Sequence, residues 1–207
     1  MTDWPITVAE RASRSHGRRT LARLLDSAVA ELDAHGYHGA RMARIAKGAG
    51  VAHGTVYVYF KDKDDLLAAL QRDVDAELRA ALLAMPEILP TAAGEGALRH
   101  WADGVCEVFQ RHGAVLQALA DALSSDQESP AGKAALRSMR STTRHMAGRF
   151  DAACDDAATF DPEIAAICLF ALIEGANRAL YLGELAVERP ELAAQIAGAV
   201  RRAACGS

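Results

Sequence analysis

The stretch GVAHGTVYVYFKDKDDLL, Gly50 to Leu67, decides how the chain is read. Its centre, VYVYF, is the one segment that resembles a strand. Helical spacing of apolar residues resumes on both sides, so a helix over about 53–59 is expected instead. A packed helix has no need of Gly54, and a core has no need of Tyr57 and Tyr59 followed by Lys61 and Lys63. The composition of this stretch points to something outside the fold.

Working outward, every neighbouring segment repeats apolar residues at spacings of three and four. Leu21, Leu24, Leu25, Ala28 and Leu32 mark a first amphipathic helix, which Gly36 ends. A short second helix is expected over about 42–49, with Ile45 and Ala46 inward, and Gly50-Val51 makes the turn into the third. Asp62 caps a fourth helix that runs until Pro86. Further helices are expected over 94–112, 114–123, 129–155, 161–185 and 190–204, the fourth of these opened by Asp161 and Pro162. This is an all-α chain of about nine helices. Its expected parts are a flexible arm over 1–15, a three-helix domain over 16–63 and a second helical domain over 64–207.

Three short helices with a Gly turn between the last two describe a helix-turn-helix. Gly50 supplies a positive φ, and Ala52 and Gly54 let the third helix lie close to another molecule. Thr55, Tyr57 and Tyr59 carry hydroxyls, and Lys61 and Lys63 carry charge, all suited to phosphate oxygens. The charge distribution agrees. Residues 1–63 hold ten Lys or Arg against six Asp or Glu, while the remainder holds thirteen against twenty-one. A basic module on an acidic body is the asymmetry of a DNA-contacting unit.

No run of about 18 apolar residues is evident, and the N-terminus lacks a signal-peptide pattern, so a cytoplasmic protein without a membrane span is expected. Cys106, Cys154, Cys168 and Cys205 form no C-x-x-C pair and are expected as reduced, mostly buried thiols. No cofactor or metal site is expected from the scattered histidines.

The pattern Gly36-Tyr37, Ile45-Ala46, Ala49-Gly50-Val51, Gly54-Thr55, Tyr57, Phe60, Lys63 and Leu66 closely resembles the N-terminal domain of the tetracycline-repressor (TetR) family. The resemblance implies a double-stranded DNA operator as partner. Thr55, Tyr57 and Lys63 match phosphate contacts, and His53 and Gly54 match groove-facing positions, with Arg44 nearby. Ala52 stands where the family often has Ser, Arg41 where Thr is common, and Val58 where a polar residue is frequent. Arg41 would add a phosphate contact, and Val58 would touch a thymine methyl.

In the second domain the segment from Asp161 to Leu185 is apolar nearly all round, so one face needs a partner. With the striped last helix it resembles the family's four-helix dimer bundle. The expected homodimer contacts are Ile164, Cys168, Gly175 and Leu182, together with Leu192, Ile196, Val200 and Ala203. Polar residues on apolar stripes suggest a small-molecule effector site. Glu174, Asn177, Arg178 and Thr143 would orient the effector, with Glu174 and Arg178 alternatively paired with each other. Trp101, Val105, Phe109, Leu116, Met139, Met146, Phe150, Phe170 and Tyr181 would line the site.

Together these readings describe a ligand-responsive transcriptional repressor, released from a palindromic operator by a small, largely apolar effector. No Ser/His/Asp order, P-loop or Rossmann glycine pattern supports catalysis. A helical enzyme or a non-DNA-binding helical adaptor is the alternative.

Overall fold

The computed structural model describes residues 15–125, 130–153 and 161–205. Among the described residues there are nine helices and no strand: α1 Ser15–Gly39, α2 Met42–Gly48, α3 His53–Tyr59, α4 Lys63–Leu83, α5 Ala92–Arg111, α6 Gly113–Ser125, α7 Pro130–Ala153, α8 Pro162–Tyr181 and α9 Arg189–Cys205. The expected arm lies almost wholly outside the described residues, as does Cys154. VYVYF is helical up to Tyr59.

The chain divides into two compact units, Met1–Val74 with Ala114–Gln127, and Asp75–Gly113 with Glu128–Ser207. The first unit is built on α1. Leu24, Ala28 and Leu32 face inward and meet Ile45 and Ala46 of α2, and Val56, Tyr59 and Phe60 close the other side. Each of the large aliphatic side chains here contributes about 1.5–3 kcal/mol by leaving water. That burial is what keeps a seven-residue helix such as α3 formed, since isolated helices of this length are unstable.

Chain punctuation falls where the residue chemistry puts it. Gly36, at φ 62° and ψ 178°, breaks the first helix, and the Ala40 N–H returns to its carbonyl at 3.1 Å. Gly50 sits at φ 63°, the left-handed conformation that the α2–α3 corner requires. At the start of α4 the Asp62 carboxylate accepts the Asp65 N–H at 2.9 Å, while Asp65 accepts the Lys61 N–H at 2.9 Å. Asp161 caps α8 by accepting from the backbone of Glu163 and Ile164. That helix stops at Tyr181, four residues short of the expected Leu185, because Gly183 turns left-handed at φ 72°.

In the second unit α9 lies along α5, α8 lies along α7, and α8 also touches α5. The core is formed by Leu98, Trp101, Val105 and Phe109 of α5, Met146 and Phe150 of α7, Leu169 and Ile173 of α8, and Leu192, Ile196 and Val200 of α9. The Trp101 indole N–H is satisfied by the Ala81 carbonyl at 3.0 Å. No apolar run of membrane-spanning length stands out in the sequence, yet α8 is long and apolar enough by length and composition alone. Its inner face, Ala165, Ala166, Leu169, Ile173 and Asn177, is buried within the protein.

Candidate nucleic-acid interface

Helix α2 is fixed by three polar side chains of α1 spaced four apart. Arg23 donates to the Ala49 carbonyl at the end of α2, Ser27 donates to the Ile45 carbonyl at 2.9 Å, and Glu31 accepts the Arg41 N–H at 3.0 Å. The cation therefore meets the negative end of the α2 dipole and the carboxylate meets its positive end. The corner is tight. A Cβ on Gly48 would strike the Ser27 hydroxyl, and one on Gly50 would strike the Arg23 guanidinium.

Glu31 is buried, which alone would raise its carboxyl. The Arg44 guanidinium at 2.6 Å and the Arg41 N–H outweigh that and hold it below the usual range. Arg44, expected near base edges, is thus half-buried in an ion pair with Glu31 and a 2.5 Å hydrogen bond to the Gly39 carbonyl. A buried carboxylate takes the nearest guanidinium.

Helix α3 is held from beneath and bare above. Val56 and Tyr59 are buried, while Ala52, His53, Gly54, Tyr57 and Val58 are exposed and Thr55 is half-buried. Tyr57 is 47% exposed and Val58 49%. The His53 and Tyr57 rings meet edge to face, with centroids 5.3 Å apart. Tyr59 was also expected to reach DNA. Its ring instead belongs to the core, and its hydroxyl makes a 3.4 Å hydrogen bond to the Gly17 carbonyl. With a period of 3.6, Tyr57 and Tyr59 cannot share a face.

Arg41 and Lys61 lie exposed on the same unit. Lys63 is half-buried: its Nζ donates to the Tyr37 carbonyl at 2.6 Å and stands 4.2 Å from that ring's centroid. Burial, with a hydrogen bond to Asp64, pushes the Tyr37 hydroxyl up to about 12, so it stays a donor. Glu31 has no place among the sequence expectations, and Tyr37 enters them only through the family pattern. The signal for Glu31 was its place, an acid between Ala28 and Leu32 on an apolar stripe.

The residues expected at an effector site divide among buried, half-buried and exposed positions. Trp101, Val105, Phe109, Met146 and Phe150 are buried, and Met139, Thr143, Phe170 and Tyr181 are half-buried, all in the second unit. Leu116 belongs to the first unit. The Thr143 hydroxyl donates to the Met139 carbonyl at 3.0 Å, and the Tyr181 ring lies against Gly113, where no Cβ would fit. Glu174 and Arg178 are exposed on α8 and do not pair with each other among the described residues. They point away from the domain interior, because the α8 positions facing it are 166, 169, 173 and 177.

Asn177 is buried as expected. Its Nδ2 donates to the Ile173 carbonyl at 2.8 Å, and its Oδ1 has no partner among the described residues. Cys106 is buried beside it, and burial pushes that thiol up, so it is an inert group rather than a nucleophile.

The dimer residues divide into two sets. Ile164, Cys168 and Gly175 are exposed on one face of α8 and Leu182 is exposed at its C-cap, with Ile167 and Leu172 beside them. Leu192, Ile196 and Val200 are buried against the chain's own core, Ile196 to 1% exposure. They are unavailable to a second copy, because α5 already covers that stripe. Ala203 is exposed. Cys168, exposed, departs from the expectation of buried thiols. Among the described residues no group of three or more His, Cys, Asp or Glu could hold a metal.

Residues 24–70 match the family described as bacterial regulatory proteins, tetR family. The chain is 35% identical over 96 residues to the HTH-type transcriptional regulator BetI of Escherichia coli, covering 46% of this chain and 49% of that protein. It is 34% identical over 108 residues to BetI of Cronobacter sakazakii, covering 52% and 54%. The chain thus spans about half the length of the curated relatives it matches. Among solved structures, a TetR-like transcriptional regulator from Rhodococcus sp. RHA1 has a TM-score of 0.70 at 21% identity, covering 91% of this chain and 97% of that one. FadR from Bacillus subtilis, solved in complex with stearoyl-CoA, has a TM-score of 0.65 at 18% identity, covering 88% and 98%. At these identities the likeness is one of fold.

Proposed function

We propose that this chain, whose residues 24–70 match the tetR family of bacterial regulatory proteins, is a DNA-binding transcriptional regulator acting in the cytoplasm as a homodimer. The observation that carries the reading is α3, whose outward residues His53, Gly54, Tyr57 and Val58 are exposed while α1 grips α2 beneath it. Residues 16–63 form the DNA-binding part and 64–207 the dimerisation and effector part. His53, Gly54 and Val58 meet base edges. Thr55, Tyr57 and Arg41 meet phosphates, with Ala52 allowing close approach and Lys63 contributing charge from its seat on Tyr37.

Two copies join through the exposed face of α8 that carries Ile164, Cys168 and Gly175, with Leu182 at its C-cap. A symmetric pair then presents its α3 helices to successive major grooves, about 34–36 Å apart or a multiple of that. The dimer represses, and a small, largely apolar effector releases it. Asn177 supports an interior effector site, since an unpartnered buried carbonyl costs about 1–3 kcal/mol that a ligand donor would recover. Glu174 and Arg178, being exposed, take no part in that site.

The test is to sequence the genomic fragments retained by the purified protein. A two-fold symmetric motif is expected. Recovery no different from a protein-free control, with substrate turnover detected instead, would replace this reading by the enzymatic one.

A further inference from the structure

Helix α7 is the exception in an acidic part of the chain. From 130 to 150 the sequence holds Lys133, Arg137, Arg140, Arg144 and Arg149 and no Asp or Glu. The rest of 64–207 then carries eight Lys or Arg against twenty-one Asp or Glu. Arg140 and Arg144 stand four apart, on one face of the helix. They open onto a cleft of about 180 Å³ between α7 and α8, whose remaining walls are Thr143, Glu163 and Ile167. Among the described residues neither guanidinium has a hydrogen-bond or ion-pair partner, although Glu163 lines the same cleft.

We propose that this cleft binds a short organic monocarboxylate, gripped by Arg140 and Arg144 with its apolar end on Ile167. Two cations against one carboxylate leave the cleft one positive charge in excess, which matches a monoanion better than a dianion. Guanidinium forks suit carboxylate oxygens, and charge-assisted hydrogen bonds are the strong ones. Thr143 spends its hydroxyl proton on the Met139 carbonyl, so it offers no donor and serves as wall. Ile167, 55% exposed, gives the aliphatic end a surface to cover. The cavity is smaller than the roughly 300–1,000 Å³ of drug-sized sites, which restricts the ligand to a short chain. The site excludes Asn177 and goes beyond the interior effector reading; it needs no DNA to be detected.

Calorimetric titration of the full chain with hexanoate, hexan-1-ol and inorganic phosphate tests it. Hexanoate is expected to bind, with hexanol and phosphate each weaker by about tenfold or more, the factor that 1.4 kcal/mol represents. Arg144→Gln should weaken hexanoate by about tenfold, the loss of one charge-assisted contact. Glu163→Gln should strengthen it several-fold by removing the competing charge. Since both positions are exposed, thermal unfolding will show that both variants fold as wild type does. Equal binding of hexanoate and hexanol, equal binding of hexanoate and phosphate, or indifference to both substitutions would each overturn the proposal, as would no hexanoate binding at millimolar concentration. None of these results bears on retention of genomic DNA, so the two readings fail separately.

Discussion

Helices α3 and α9 both carry a one-sided pattern, but one pattern is exposed and the other is buried. On α3 the residues that do not suit a core, His53, Gly54 and Tyr57, remain exposed. On α9 the apolar stripe Leu192, Ile196 and Val200 is covered by the chain's own α5. An apolar stripe says that something covers it without saying what. Small, aromatic and polar residues on a short helix carry more information, because burial within the fold does not explain them.

Charged substitution separates the two kinds of helix most sharply. Ile196→Asp places an unpaired carboxylate in the core, and we expect it to cost about 4 kcal/mol or more, the range reached when a charge is buried alone. Chemical denaturation should show this as loss of folding, not as a folded monomer. Ile164→Asp, at a position 54% exposed on α8, should change stability by only about 0.5 kcal/mol. Its effect belongs to sedimentation, where the dimer should give way to monomer. If Ile164→Asp stays dimeric, the partner-facing side of the second unit is not this face of α8.

Unlike the exposed residues of α3, the α1 side chains that hold α2 act on stability. Glu31→Gln removes a buried charge that accepts two hydrogen bonds, and should cost about 2 kcal/mol. The sign with pH follows from its lowered carboxyl. The contribution is complete above the ordinary carboxylate value near 4.5 and is lost as pH falls through the lower folded value. Wild-type stability should therefore decline below about pH 4.5 more steeply than that of Glu31→Gln. Parallel acid profiles would mean that Arg44 and Arg41 do not hold this carboxylate charged.

A smaller effect is expected at Lys63. Its amine already serves the Tyr37 carbonyl, so its share of the DNA interaction is one charge near the backbone. Lys63→Ala should flatten the logarithmic salt dependence of operator binding by about 0.9, the value for one phosphate neutralised. No change in slope would confine Lys63 to the Tyr37 cluster.

Much of the first unit was legible because its determinants are local. Gly36 and Gly50 take the positive φ that their positions demand, and Asp62 caps the helix that follows it, as Asp161 does in the second unit. What escaped was long-range. Arg44 and Glu31 lie 13 residues apart, and Lys63 and Tyr37 lie 26 apart. No helical period brings such pairs together. Tyr59 escaped for another reason: it stands two positions from an exposed tyrosine, a spacing that reverses the face of a helix. In the second unit, Glu174 and Arg178 show that a polar residue on an apolar helix marks its outer side at least as readily as a pocket.

Tyr57 offers the most direct test that the bare face of α3 binds DNA. Its ring touches only His53 among the ring contacts of the unit, and no intramolecular hydrogen bond is seen to its hydroxyl among the described residues. The measurement is operator affinity of Tyr57→Ala by fluorescence anisotropy at fixed salt, beside its melting temperature. Affinity should fall by about tenfold or more, the scale of one lost contact of 1–3 kcal/mol, with the melting temperature unchanged. Wild-type affinity in the folded variant would contradict the claim that this surface is the nucleic-acid interface.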